Sequence, residues 1–313
     1  MCGARLPVQH YPATAASLAT VFVVCLGEAL IDLSPPPGDS LLGTNELLVR
    51  IGGAPLNVAI HLKRAGVDSC FLGTLSADGF GDRIRALLVR EGVDCRPAVP
   101  VDAPTRLAII DHQDNNTPFR FYGDEPADTR LTVEDVDNAL ASGLTALYVS
   151  SLLMTHRSSA SVQEATLRRV LAAGNMLIVS DPNPRPSIWS SRAAMVEAVE
   201  ILLDVSHLTK LSLDDARALG WPVVPERLMA HLKCRTSGDI VITDGENGSW
   251  FDDGLALQHV PASTVAGIDP TGAGDAFFAA VIAGLLQHGQ LNRMILRTAS
   301  DAGAAIAARH GAH

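Results

Sequence analysis

Lysine is scarce in this chain of 313 residues: only Lys63, Lys210 and Lys233 occur, and acids outnumber bases to leave a net charge of −10. A nucleic-acid groove or an anionic membrane surface requires a basic field, so neither is expected as a partner. A local anion site is not excluded, because backbone N–H groups and a metal can build one without net positive charge. Cysteine is scattered: Cys2, Cys25, Cys70, Cys95 and Cys234 contain no C-x-x-C pair. That argues against a zinc site, and the odd count fits reduced, mostly buried thiols. No apolar run approaches the roughly 18 residues of a membrane span. The stretch AASLATVFVVCLGEAL is apolar enough for a signal peptide, yet only Arg5 lies upstream and the small-residue cleavage pattern is missing. A cytoplasmic protein is expected, with residues 1–20 as a loose extension.

What is present is an ordinary globular composition, 47% hydrophobic and 19% charged. Strand-like apolar runs alternate with helical patterns. FVVCL leads to a helix over Pro55–Ala65, SCFLGTL to one near Gly81–Arg90, and LTALYVSS to one near Ser158–Ala172. NMLIVSD leads to a helix near Arg192–Leu203, GDIVITDG closes the series, and Gly274–Ala308 reads as two helices parted near Gly289. Such alternation predicts parallel strands with crossover helices, an α/β sandwich. Two segments break the pattern, Ser34–Gly53 and Cys95–Asp124. They carry turn residues such as Asp114-Asn115-Asn116 and Pro118, with alternation in TRLAIID and FRFYG. They read as β-excursions that form a small sheet over one face.

Four segments could carry chemistry. In AGIDPTGAGDAFFAAVIAGLL, Gly272-Ala273-Gly274 permits a tight turn into an apolar helix, whose first N–H groups and positive end make an anion site. Asp275 in the first turn is either a helix cap or a general base beside that anion. In IGGAPLNVAIHLKRAG, Gly52-Gly53 permits close backbone approach, and Asn57 either bonds locally or faces a sugar hydroxyl. In GEALIDLSPP, Glu28 and Asp32 fall at a strand's carboxyl end, where parallel sheets bind ligands. Asp32 is either a turn acid or the partner of a polyhydroxy ligand. In SDPNPRPSIW, Asp181, Asn183 and Arg185 follow a strand; Arg185 suits a phosphate or an ion pair with Asp181.

Taken together, GGAPLNVAIHLKRAG and DPTGAGDAFFAAVIAGL resemble the two motifs of the ribokinase-like (PfkB) carbohydrate kinases. GEALIDLSP, FRFYGDEPAD, DPNPRPSIW and TKLSLDDARAL resemble its fructokinase and 2-keto-3-deoxygluconate kinase branch. The resemblance implies a three-layer α/β/α sandwich over 21–313, with a mostly parallel central sheet and a small β-sheet lid. It implies ATP-dependent phosphorylation of a sugar hydroxyl, fructose foremost, with Asp275 as base and Gly272, Ala273 and Gly274 as anion hole. Asp32, Gly52, Gly53, Asn57 and Arg185 would meet the sugar. Asn183, Lys210, Ser212, Thr243, Gly245 and Gly248 would join Gly272 and Gly274 around the nucleotide, and Asp215 would steady Mg2+ through water. A monovalent cation such as K+ at the loop and a homodimer through the lid also follow from the resemblance.

Three positions depart from the family pattern. Pro270 replaces a residue with an N–H, Asp215 stands for a glutamate, and Gly123 stands where an arginine usually follows Tyr122. The first bears on the cation, the second on magnesium, and the third favours a neutral sugar over an acidic one. The rival readings are a 2-keto-3-deoxygluconate kinase or another sugar or nucleoside kinase of the family, and a non-catalytic sugar-binding regulator.

Overall fold

The computed structural model describes residues 21–111, 119–140, 145–265, 269–309 and 311–313. The expected extension at 1–20, the turn residues Asp114–Asn116 and Pro118, and Ala266–Ile268 ahead of the glycine turn lie outside the described residues. The chain opens with β1 (Phe22–Leu26), β2 (Leu30–Ser34), β3 (Leu48–Gly52), α1 (Ala54–Arg64), β4 (Asp68–Ser76) and α2 (Gly79–Arg90). Next come β5 (Ala98–Val101), β6 (Leu107–Ile110), β7 (Phe119–Tyr122), α3 (Val133–Ala139), β8 (Ala146–Val149) and α4 (Arg157–Ala173). Then follow β9 (Leu177–Ser180), α5 (Arg192–Val205), β10 (Leu208–Ser212), α6 (Leu213–Leu219), α7 (Pro225–Lys233) and β11 (Asp239–Thr243). The hairpin β12 (Ser249–Asp252) and β13 (Leu257–Val260) precedes α8 (Ala273–His288) and α9 (Arg293–Ala307).

The large sheet has nine strands in the order β13-β12-β11-β10-β9-β8-β1-β4-β5. From β5 to β11 all neighbours are parallel; β12 and β13 add an antiparallel edge. Strand β1 shows why both faces must be covered. Its Val23 and Cys25 enter the core shared with α1, α2, α8 and α9, while Val24 and Leu26 enter the core shared with α3, α4 and α5. That alternation is the period-two geometry of a strand buried on both sides, and it accounts for the unbroken apolar run. The result is the three-layer sandwich. Strand order reverses at β1, so the crevice at the carboxyl ends of β1 and β8 is the place where this topology accommodates a ligand.

A second sheet of order β3-β2-β6-β7 stands over that crevice. Its boundaries differ from those expected. The lid begins at Leu30 rather than at Ser34, within the stretch read as following the first strand, because Gly27 (φ 155°) ends β1 and the chain turns directly into β2. The second excursion is split: β5 pairs parallel with β4 at the edge of the large sheet, and the lid strand starts only at Leu107. Among the described residues, no helix is long and apolar enough to cross a membrane.

Helix α8 is apolar nearly all round, as a helix enclosed on every side should be. It lies against α1, α9 and the sheet, where the buried Phe278 ring meets Tyr148 at 6.0 Å between centroids. Phe278→Ala should therefore cost about 3–5 kcal/mol by leaving a cavity beneath the first turn. Urea unfolding should show a lower midpoint with an unchanged slope.

Candidate active site

A cleft of about 310 Å³ opens between the carboxyl ends of β1, β8, β9 and β10, the lid, and the start of α8. Asp32, Gly53, Asn57, Asn183, Arg185, Lys210, Gly272, Gly274 and Asp275 all line it. Residues from distant parts of the sequence thus meet in one place. Gly52, Ala273, Ser212, Asp215, Thr243, Gly245 and Gly248 stand outside its lining.

Helix α8 begins at Gly272, which adopts φ 80° and whose missing side chain leaves room for Ala312; a Cβ there would lie 2.5 Å from the Ala312 Cα. Of the two readings of Asp275, the helix cap is not formed. The N-cap is Gly272, and the Asp275 carboxylate, in the first turn, accepts from Asn57 Nδ2 at 2.8 Å instead. Asn57 is one turn into α1, so the bond joins two helices that arrive from opposite ends of the chain. Ala273, expected in the anion hole, has its N–H donating to the Pro270 carbonyl at 3.1 Å. The N–H groups of Gly272 and Gly274 stay with the helix start. Lys210 adds charge here, its Nζ lying 3.7 Å from where a Gly274 side chain would begin.

Glycines 52 and 53 are needed for space. A Cβ on Gly52 would fall 2.2 Å from Asp32 Oδ2, and one on Gly53 (φ 114°) would fall 2.6 Å from the Glu28 carbonyl oxygen. Close approach here packs the start of α1 onto the end of β1. Glu28, noted in the sequence but given no role, explains how. Its carboxylate is buried, accepts from the Ala54 N–H at 3.2 Å and the Ser150 hydroxyl at 2.9 Å, and so satisfies the first turn of α1 from across the chain. Its place directly after the first strand was the available signal.

Enclosure dominates the electrostatics. Burial pushes the Asp275 carboxyl up to about 6; the Asn57 hydrogen bond opposes this, the Asp181 charge adds to it, and Lys210 and Arg185 oppose it. Burial pushes Asp32 up to about 7, against Arg185 and with Asp275. Glu28 reaches about 7 for the same reason, partly offset by its hydrogen bonds to Ser150 and Ala54. Burial also works against the Lys210 ammonium, but the surrounding Asp181 and Asp215 carboxylates outweigh it and hold its pKa above the ordinary value. The ion pair considered for Asp181 and Arg185 is not formed: Asp181 pairs with Lys210 at 2.5 Å, both nearly inaccessible, and Arg185 lies over the Phe119 ring of the lid at 4.7 Å. Asn183 holds its turn at φ 44°, in the region that asparagine tolerates better than most residues.

Two ions can be tested against these groups. No cluster of three or more metal-ligating side chains exists among the described residues. Asp181 Oδ1 is nevertheless buried at the cleft without a hydrogen-bond donor, and a hard divalent cation carried mainly by phosphate and water oxygens suits it. Asp215 fits less directly, because its Oδ2 accepts from the Ser212 N–H at 2.9 Å in a reciprocal cap of α6. A monovalent cation on the loop does not fit. Asp269 already accepts from Thr271 N–H, Gly311 N–H and the Arg50 guanidinium, whose positive charge stands beside the carboxylate in place of a bound cation.

A lidded cleft at the switch point of a parallel sheet, with a helix start facing a buried carboxylate, defines a phosphate-handling α/β enzyme. The sequence matches the model of the pfkB family carbohydrate kinases over residues 21–313, and the chain belongs to that family. It is a carbohydrate kinase with the ribokinase-like fold. It is similar to a fructokinase of Salmonella typhimurium, 31% identical with 84% of each chain covered. Among solved structures it is similar to an uncharacterized sugar kinase from Pyrococcus horikoshii (TM-score 0.82, 25% identity, 93% of each chain). A double mutant of fructokinase from Vibrio cholerae O395, solved with fructose, ADP and potassium ion, gives a TM-score of 0.79 at 26% identity over 94% of each chain.

A carboxylate whose pKa is higher folded than unfolded makes the folded state the tighter proton binder, so its contribution to stability declines as pH rises between the two values. For Asp32 that window runs from the ordinary 3.8 to about 7. Asp32→Asn should therefore melt roughly 2–6 °C above the parent chain beyond pH 7 and match it below pH 4, as read by calorimetry.

Proposed function

We propose that this kinase transfers the γ-phosphoryl group of ATP to a hydroxyl of fructose, with Asp275 as general base. The observation that carries this reading is the buried Asn57–Asp275 hydrogen bond at the start of α8, which aims one carboxylate at the cleft beside the glycine turn. The similarity to fructokinases supports the choice of sugar.

In this reading the sugar lies between Asp32, Asn57 and the apolar lid residues Ile110, Phe119 and Phe121, which line the cleft. Asp275 accepts the proton of the attacking hydroxyl, and the charge that develops on the transferred group meets the Gly272 and Gly274 amides and the helix dipole. Lys210, kept charged by Asp181, and Arg185 add positive potential on the same side. The nucleotide extends past β10 and β11, whose carboxyl ends bring Ser212 opposite Thr243 and lead to the turn at Gly245 and Gly248. Magnesium would supply charge neutralisation on the phosphates, steadied by Asp181 and, through water, by Asp215. Closure of the lid over the sugar excludes water and limits ATP hydrolysis. Arg185 is the natural candidate to meet an acidic substrate, but Asp32 and Asp275 oppose its charge, which favours a neutral sugar. Two copies would pair through the lid, where Leu47 and Tyr122 are exposed.

An ADP-release assay over a panel of sugars tests the substrate: fructose should be turned over best. Preference for 2-keto-3-deoxygluconate would move the reading to that rival, and binding without any turnover would favour the regulator. Asp275→Asn should lower kcat by roughly 10²–10⁴-fold with sugar and ATP still bound; near-normal turnover would sink the base assignment. The base must be ionised, so kcat/KM should fall below a pH of about 6. Because the Asn57 hydrogen bond holds that pKa down, Asn57→Ala should move the acid limb upward. A limb that stays in place would detach it from Asp275.

A further inference from the structure

Arg50 belongs to none of the motifs that point to the site, yet it joins the lid to the glycine turn. It stands on lid strand β3 opposite Asp32, and its Nη1 donates to Asp269 Oδ2 at 2.9 Å. Asp269, only 6% exposed, opens the loop that ends at Gly272. Its other donors are uncharged and local to the loop and its neighbour: Thr271, through its side chain and through its N–H at 3.0 Å on Oδ1, and the Gly311 N–H at 3.1 Å on Oδ2. Among the described residues, its charged partner therefore reaches across from the lid. Ala312, next to Gly311, packs on Gly272, and its carbonyl meets His61 Nε2 of α1 at 2.8 Å, so the carboxylate is at the centre of a contact among lid, loop and α1. The remaining gap beside Arg50 and Thr271 is about 10 Å³, space for roughly one water.

A buried carboxylate needs a compensating cation. Here the chain supplies it as a side chain from the part that would move. We propose that Arg50 is a positioning residue: by pairing with Asp269 from the lid strand, it sets the Asp269–Gly272 turn at the anion hole and makes an added monovalent cation unnecessary. The proposal rests on the kinase reading above for its activity readout but not for its structural one.

The test uses the full chain with fructose, ATP and magnesium, in tetramethylammonium buffer with or without KCl at constant ionic strength. The parent chain should change kcat by less than about twofold between the two. Arg50→Met should lower kcat roughly 10²-fold, the scale of a displaced catalytic geometry, with KM for fructose little changed. It should regain part of that loss with KCl. Arg50→Lys, which keeps the charge, should recover most of the loss, whereas damage to packing alone would not be rescued by charge or by potassium. Hydrogen exchange of the 269–275 amides in the free chain gives the second readout: Arg50→Met should speed it and Arg50→Lys should not. Strong potassium dependence of the parent chain, or exchange unaltered in Arg50→Met, would overturn the proposal. Should fructose fail as substrate, the exchange measurement still decides, so the two readings fail separately.

Discussion

The hydrogen bond from Asn57 to Asp275 is the constraint around which the site is organised. A carboxylate closed off from water at the start of an apolar helix is costly unless something donates to it. The donor arrives on α1, separated from Asp275 by 218 residues. For that bond to form, α1 and α8 must lie side by side on one face of the sheet, and α1 must begin flush with the end of β1. Gly53 allows the second condition by taking a conformation that brings it against the Glu28 carbonyl, and Glu28 then satisfies the first free N–H of α1. The same packing that lowers the energy of the fold therefore holds the carboxylate toward the cleft.

The charge pattern follows from the same economy of means. In the proposed reading, a chain with net charge −10 handles an anion by local devices: the start of α8, Lys210 locked to Asp181, and Arg185 laid over Phe119. Lys210 is paired with the enclosed Asp181, and the charge of Arg185 is felt by the buried Asp32 and Asp275, so the positive potential stays local. The scarcity of lysine is thus compatible with phosphate chemistry, because one of the three sits where its charge counts.

The layered fold was legible because strands buried on both faces read as unbroken apolar runs, and FVVCL, LTALYVSS and GDIVITDG announced themselves in that way. Helices α1, α2, α4, α5, α8 and α9 were expected close to where they lie. What escaped was governed by context. Ala98–Val101 contains Pro100 and no clear period; it is a strand because it lies at an edge, where a missing N–H costs little. The short α6 and the β12–β13 hairpin lack enough length for a periodic signal. Within the site, glycine pairs and acids at strand ends marked Gly53, Asp32 and Asp275. Partnerships were not readable: nothing local says that Asn57 donates to Asp275, that Ala273 bonds back to Pro270, or that Asp181 chooses Lys210 over Arg185. Those choices depend on which strands are neighbours.

A crystal structure of the chain with fructose, magnesium and an unreactive ATP analogue would examine the central claim most directly. The account predicts one fructose hydroxyl about 2.6–3.2 Å from the Asp275 carboxylate, in line with a terminal phosphate seated against Gly272 and Gly274. A sugar whose hydroxyls all lie away from Asp275, with Asp32 or Glu28 in that position instead, would contradict it.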